Sequence, residues 1–157
     1  MTSTLTVGAA APAFLLARAE QAPLSLESFA GRKLVLYFYP KDDTSGCTRE
    51  AIDFNGLRSA FDEAETSILG VSPDPEKSHA KFRTKYGLSL ELGSDEEKTM
   101  LQAYGVWAEK SMYGRKYMGV ERTTVLIDRN GRIARVWNKV QVPGHAEEVL
   151  KAARELT

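Results

Sequence analysis

Leu34 to Tyr39 reads LVLYFY, an unbroken apolar run rich in strand-forming residues and closed by Pro40. A run of this kind is buried on both faces, so it belongs at the centre of a sheet covered by helices. The remaining chain must therefore supply two covering layers, and its periodicity does so. Residues 45–64 carry Ala51, Phe54, Leu57 and Phe61 at helical spacing, with Arg58 and Asp62 off that stripe. Thr66 to Val71 is a second buried strand. Asp74-Pro75 opens a helix that runs to Tyr86 and stops at Gly87. Leu88 to Leu92 is a short strand, and Ser94-Asp95-Glu96-Glu97 is a capping box for a helix ending near Tyr104-Gly105. Asp128-Arg129-Asn130-Gly131 joins Thr123–Ile127 to Ile133–Trp137 as a hairpin. A last helix spans about His145 to Glu155.

Strands alternating with helices pair in parallel, and the hairpin adds an antiparallel edge. The expected architecture is an α/β, thioredoxin-like fold: a mixed central sheet with helices on both faces. With 157 residues and no repeat or linker, the expectation is one domain over 1–157.

Charge excludes several function classes. Lys plus Arg number 21 and Asp plus Glu number 21, so the net charge is 21 − 21 = 0 and no basic excess exists to track a nucleic acid backbone. The longest apolar stretch is far short of the roughly 20 residues that span a bilayer. Residues 1–10 lack a basic start and an apolar run, so no signal peptide is expected and the predicted location is cytoplasmic. His79 and His145 show no ligand spacing and read as surface or capping residues, so no metal and no bound cofactor is expected.

Cys47 is the only cysteine, which rules out an intramolecular disulfide. It stands in Pro40-Lys41-Asp42-Asp43-Thr44-Ser45-Gly46-Cys47-Thr48-Arg49-Glu50, where the buried strand ends and a helix begins. Ligands of open α/β sheets bind at that strand edge. Free N–H groups and the dipole at a helix start favour an anion, and the thiolate is the reactive form of cysteine. An inert core thiol would sit in an apolar run, whereas this one sits in a polar, Gly-containing turn. Thr44 is placed to cap the helix and turn its hydroxyl toward the same pocket, and Pro40 stiffens the approach.

The segment FYPKDDTSGCTREAIDF resembles the active-site segment of peroxiredoxins, P-x-x-x-T-x-x-C, through Pro40, Thr44 and Cys47. Its flanks are most similar to the bacterioferritin-comigratory-protein (PrxQ) branch, whose members typically read YPKDDTPGCT followed by E-A-C. The likeness extends through Gly8, Ala11, Pro12 and Phe14, then Met112-Tyr113-Gly114 and Glu121-Arg122-Thr123-Thr124. The resemblance implies that the Cys47 thiolate attacks hydrogen peroxide or an organic hydroperoxide and becomes a sulfenic acid. It implies that Arg122 polarises the peroxide and that Glu50 holds Arg122 in place. Gly46, Thr44 and Arg122 would hold the substrate, while Tyr39, Met112 and Tyr113 would form an apolar pocket wall.

Two departures from the branch stand out. Ser45 replaces the usual proline, and Ile52 stands where many members carry a resolving cysteine; residues 75–87 contain none either. The implied enzyme therefore uses one cysteine and an external reductant, whether thioredoxin, glutaredoxin or glutathione. A monomer or weak homodimer is expected. The rival readings are a redox-sensing or binding module without turnover, and a thiol–disulfide oxidoreductase. The latter normally needs C-x-x-C, and Thr44 occupies the first of those positions.

Overall fold

The computed structural model describes residues 5–18 and 21–157. Strands β1 (Leu15–Arg18) and β2 (Gln21–Ser25) pair antiparallel. The apolar run becomes β3 (Lys33–Phe38), in which every residue is buried. Helices α1 (Ser45–Gly56) and α2 (Arg58–Glu63) lead to β4 (Thr66–Ser72). Then follow α3 (Glu76–Tyr86), β5 (Glu91–Ser94) and α4 (Thr99–Ala103). A separate hairpin, β6 (Trp107–Met112) and β7 (Arg115–Val120), precedes β8 (Thr123–Ile127), β9 (Ile133–Trp137) and α5 (His145–Glu155).

The main sheet runs β2-β1-β5-β4-β3-β8-β9. Strand β3 lies parallel to β4 and antiparallel to β8, with β4 parallel to β5. This is the expected mixed thioredoxin-like sheet. Alternation along β3 feeds two cores. Leu34, Leu36 and Phe38 pack with Met100, Leu101 and Tyr104 around α4. Val35, Tyr37 and Tyr39 pack with Ala51 and Phe54 of α1, Phe82 of α3 and Val149 of α5. Helices thus cover both faces, as a doubly buried strand requires. Among the described residues, no helix is long and apolar enough to cross a membrane.

Several expected boundaries move. The helix expected over 45–64 breaks at Leu57 (φ −100°, ψ 5°) into α1 and α2. The strand expected at Leu88–Leu92 begins only at Glu91, although Leu88 and Leu90 are buried as an apolar run should be. The capping box at Ser94 does not form. Ser94 ends β5 and its hydroxyl donates to the Asp74 carbonyl, so α4 starts at Thr99 and Asp95 accepts from the Leu101 N–H at 2.8 Å instead. The β6–β7 hairpin was not expected. Its two-residue turn is Tyr113-Gly114, both at positive φ (52° and 77°), and Tyr-Gly lacks the Asn or Asp that usually marks such a turn.

Candidate active site

Three elements meet at Cys47: the loop leaving β3, the first turn of α1 and the start of β8. Thr44 is the N-cap residue of α1, with extended φ −94° and ψ 156°. Its side chain does not cap. The hydroxyl donates back to the Lys41 carbonyl at 2.9 Å, while the Thr44 carbonyl accepts from the Thr48 N–H at 2.8 Å. Thr44 is exposed and braces the loop rather than capping the helix with its hydroxyl. Pro40 is half-buried at the bend that ends the strand.

The loop itself is pinned to the neighbouring helix. Tyr39 donates to Asp42 at 2.6 Å, Ser78 to the other Asp42 oxygen at 2.8 Å, and His79 Nδ1 lies 2.7 Å from that same oxygen. Asp42 is deeply placed, and burial alone would raise its pKa. The bonds from His79, Tyr39 and Ser78 together outweigh that and hold it below its ordinary value. Asp43, at φ 60°, is fixed by Lys85 at 2.7 Å and by the Tyr86 hydroxyl.

Cys47, Glu50, Ala51 and Phe54 form the buried face of α1. Arg122, immediately before β8, reaches this face with both terminal nitrogens. Its Nη2 donates to Cys47 Sγ at 3.2 Å and its Nη1 to Glu50 Oε1 at 2.6 Å. One planar guanidinium thus ties the sulfur to the carboxylate. Gly46 leaves room for it: a Cβ there would stand 3.3 Å from Arg122 Nη2. Glu50 is 1% exposed, and burial, outweighing the Arg122 attraction, raises its pKa from 4.5 to about 7. Its second oxygen has no hydrogen-bond partner among the described residues.

Beneath α1, Tyr37 stacks on Phe54 at 4.8 Å and on Tyr39 at 5.5 Å. Gly70 on β4 makes this possible, since a Cβ there would meet the Tyr37 ring at 2.7 Å. His145, at the start of α5, shares a 2.8 Å hydrogen bond with Thr124 and is edge-on to Phe54 and Trp137. Burial pushes its pKa down.

Four sequence expectations need correction besides Thr44. Tyr39 is a core residue whose hydroxyl serves Asp42. Met112 and Tyr113 lie at the exposed tip of the β6–β7 hairpin, Tyr113 being 98% exposed, so neither walls a pocket here. Both histidines are buried, not surface residues. Asp42, Asp74 and His79 do bring ligand-type atoms within 4.8 Å of one another, but each already bonds within the protein: His79 Nε2 faces the Gly93 carbonyl at 3.1 Å, and Asp74 accepts from Ser72 at 2.7 Å. Sequence reading missed Tyr37 and His145. Tyr37 could have been found by alternation, since it shares a face of the strand with Val35 and Tyr39. His145 has no local signature.

A buried cysteine at a helix start, gripped by an arginine on a thioredoxin-like sheet, defines a thiol-based redox enzyme. The AhpC/TSA family model matches residues 7–136. A putative peroxiredoxin bcp of Coxiella burnetii is 47% identical over 147 residues, covering 94% of this chain and 97% of the relative. Peroxiredoxin Bcp of Bacillus subtilis is 40% identical, covering 98% of each. Among solved structures, peroxiredoxin Q of Xanthomonas campestris superposes with a TM-score of 0.88 at 42% identity, covering 98% of this chain and 97% of that one. A PrxQ mutant of Xylella fastidiosa gives a TM-score of 0.92 at 37% identity, covering 98% of each chain. The chain belongs to the AhpC/TSA family, as a one-cysteine peroxiredoxin of the Bcp/PrxQ branch. It is a thiol-dependent peroxidase, with a peroxide and a reducing thiol as substrates.

Proposed function

We propose that Cys47 is the peroxide-attacking nucleophile and Arg122 the residue that polarises the peroxide. The 3.2 Å contact between them carries this assignment. Sulfur attacks the terminal peroxide oxygen; the S–O bond forms, the O–O bond breaks, and the leaving oxygen takes a proton to become water or an alcohol. Arg122 N–H groups stabilise negative charge on the sulfur before attack and on the leaving oxygen after it. The Xanthomonas campestris relative is described as reducing alkyl peroxides, which supports organic hydroperoxides alongside hydrogen peroxide as substrates. With one cysteine, the sulfenic acid is resolved by an external thiol from thioredoxin, glutaredoxin or glutathione. A need for such a thiol pool favours the reducing cytoplasm. Steady-state peroxide consumption against a panel of thiol donors tests the whole reading, and a wild-type protein that turns over with none of them would remove it.

Glu50 acts as a positioning residue, and its pH response tests that. Its folded pKa of about 7 stands above the unfolded 4.5. The group therefore contributes stability below pH 4.5, and that contribution disappears as pH rises to about 7. The full difference is on the order of 3 kcal/mol. Glu50→Gln lacks this titration, so relative to wild type it is expected to gain stability progressively from pH 4.5 to 8 in chemical denaturation. Glutamine accepts from Arg122 much as a neutral carboxyl does. Activity of the variant is expected to match wild type below about pH 6 and to fall several-fold behind above pH 7, where Glu50 is ionised. A constant activity ratio across that range would show that Glu50 does not position Arg122 through its charge.

Ile52→Cys tests the one-cysteine assignment. Ile52 is 44% exposed while Cys47 is 1% exposed, so the two lie on different sides of α1. Five residues of helix separate them by about 7.5 Å and about 140° of turn. Disulfides seldom bridge Cα atoms beyond ~7 Å, so the first turns must unwind. After peroxide treatment the variant is expected to form an intramolecular disulfide with loss of helical circular dichroism, and to depend less on monothiols. Two unbridged sulfurs would mean that the helix is too stable to open.

A further inference from the structure

A cleft of about 960 Å³ lies between the β6–β7 hairpin and the end of β9, lined among others by Lys110, Tyr117, Glu121, Arg135 and Lys139. It borders the segment that carries Arg122. Glu121 immediately precedes Arg122, and the Val140 N–H, next to Lys139, donates to the Arg122 carbonyl at 2.9 Å. Lys110 lies in the field of the site itself: burial first and Arg122 next hold its pKa down, while Cys47 and Glu121 pull it up.

What sets the cleft apart is that it gathers three cations in one concave surface beside the segment that carries Arg122. Arg18, Arg32, Arg49, Lys85, Lys116, Arg122 and Arg129 meet carboxylates, while many other lysines and arginines among the described residues do not. Lys110, Arg135 and Lys139 form no ion pair among the described residues; Arg135 only lies over the Trp137 ring, 4.6 Å from its centre. Of the two acids in the lining, Glu109 is engaged by Lys116 at 3.8 Å, and Glu121 forms no ion pair among the described residues, although it lies in the field of Lys110. Three unpaired cations and one unpaired acid, beside the arginine that touches the sulfur, form a site for an anionic molecule that also carries one positive group.

We propose that this cleft binds the reductant of the second half-reaction, a small peptide thiol whose carboxylates meet Lys110, Arg135 and Lys139 and whose ammonium meets Glu121. The proposal rests on the peroxidase reading, because only a sulfenic acid at Cys47 calls for such a partner. The bound thiol sulfur attacks Cys47 Sγ; an S–S bond forms, the S–O bond breaks, and the hydroxyl leaves as water with the thiol proton. A second thiol then attacks the bound sulfur, freeing Cys47 and carrying away the disulfide. Because Cys47 is buried, the first turn of α1 opens before the sulfurs meet, and helix ends are where such opening is easiest.

The test compares donors of different charge. Peroxide consumption is followed with glutathione, which has two carboxylates and one ammonium, with uncharged dithiothreitol, and with thioredoxin. In the double variant Arg135→Glu/Lys139→Glu, the KM for glutathione is expected to rise about tenfold or more, with the neutral Arg135→Gln/Lys139→Gln variant in between. Rates with dithiothreitol and the single-turnover reaction of Cys47 with peroxide are expected to stay within about twofold of wild type. Added salt is expected to weaken glutathione use by wild type but not by the Glu variant. An unchanged KM for glutathione, or an equal loss with dithiothreitol, overturns the proposal. So does a wild-type enzyme that turns over with dithiothreitol or thioredoxin but not with glutathione. Failure of wild type with all three donors would instead remove the peroxidase reading itself.

Discussion

Replacing Cys47 with serine is expected to lower peroxide turnover by more than about a thousandfold while leaving the fold intact. The argument is chemical and then structural. A serine hydroxyl stays protonated near neutral pH, and its oxygen is a far weaker nucleophile toward an O–O bond than a polarisable thiolate. The exchange removes little volume at a site that is 1% exposed. Oxygen can still accept from Arg122, whose Nη2 now stands 3.2 Å from the sulfur, so the guanidinium need not move. Thermal unfolding is therefore expected to shift only slightly, while single-turnover peroxide consumption disappears. Labelling with a dimedone-type probe, positive in wild type after one equivalent of peroxide, is expected to vanish with it. Turnover above a trace in this variant would mean that the chemistry lies elsewhere.

Arg122→Lys is expected to cost about a hundredfold in the peroxide half-reaction. The guanidinium performs two tasks with two nitrogens held in one plane, one on Cys47 and one on Glu50. A single ammonium is a point charge and cannot reproduce both contacts in that geometry. If it stays with Glu50, the sulfur loses its donor; if it turns to the sulfur, Glu50 loses the one hydrogen bond it has among the described residues. The stability loss is expected to grow above pH 7, where Glu50 is ionised and an unpaired buried charge costs about 3–5 kcal/mol. Stopped-flow peroxide reduction and denaturation at pH 6 and pH 8 read the two consequences separately. A near-normal rate would remove Arg122 from the role of polarising residue.

Local chemistry made the proposed nucleophile legible. An apolar run closed by Pro40, followed by a polar turn and a helical stripe, places Cys47 at a strand-to-helix edge without any coordinates. The stripe of Ala51, Phe54, Leu57 and Phe61 did not mark Glu50 as buried; the fold places it on the inner face of α1 with Cys47. Errors came where local signals had competing uses. Thr44 and Ser94 are good capping residues by type, yet each hydroxyl found a backbone carbonyl instead. Met112 and Tyr113 are apolar and family-like, but a left-handed Tyr-Gly turn carries them out to solvent.

What the sequence determined by itself is what depends on neighbours along the chain: the buried central strand, most helix and strand positions, and a lone cysteine at a helix start. Tertiary structure decided everything that depends on groups far apart in sequence. Arg122 lies 75 residues from Cys47, and only the antiparallel pairing of β8 with β3 brings it to the sulfur. The same holds for the elevated proton affinity of Glu50, which arises from its burial on the inner face of α1, and for the cleft where Lys110 of β6 meets Arg135 and Lys139 of the β9 segment. Periodicity reports which side of an element faces inward; only the assembled sheet decides what it faces.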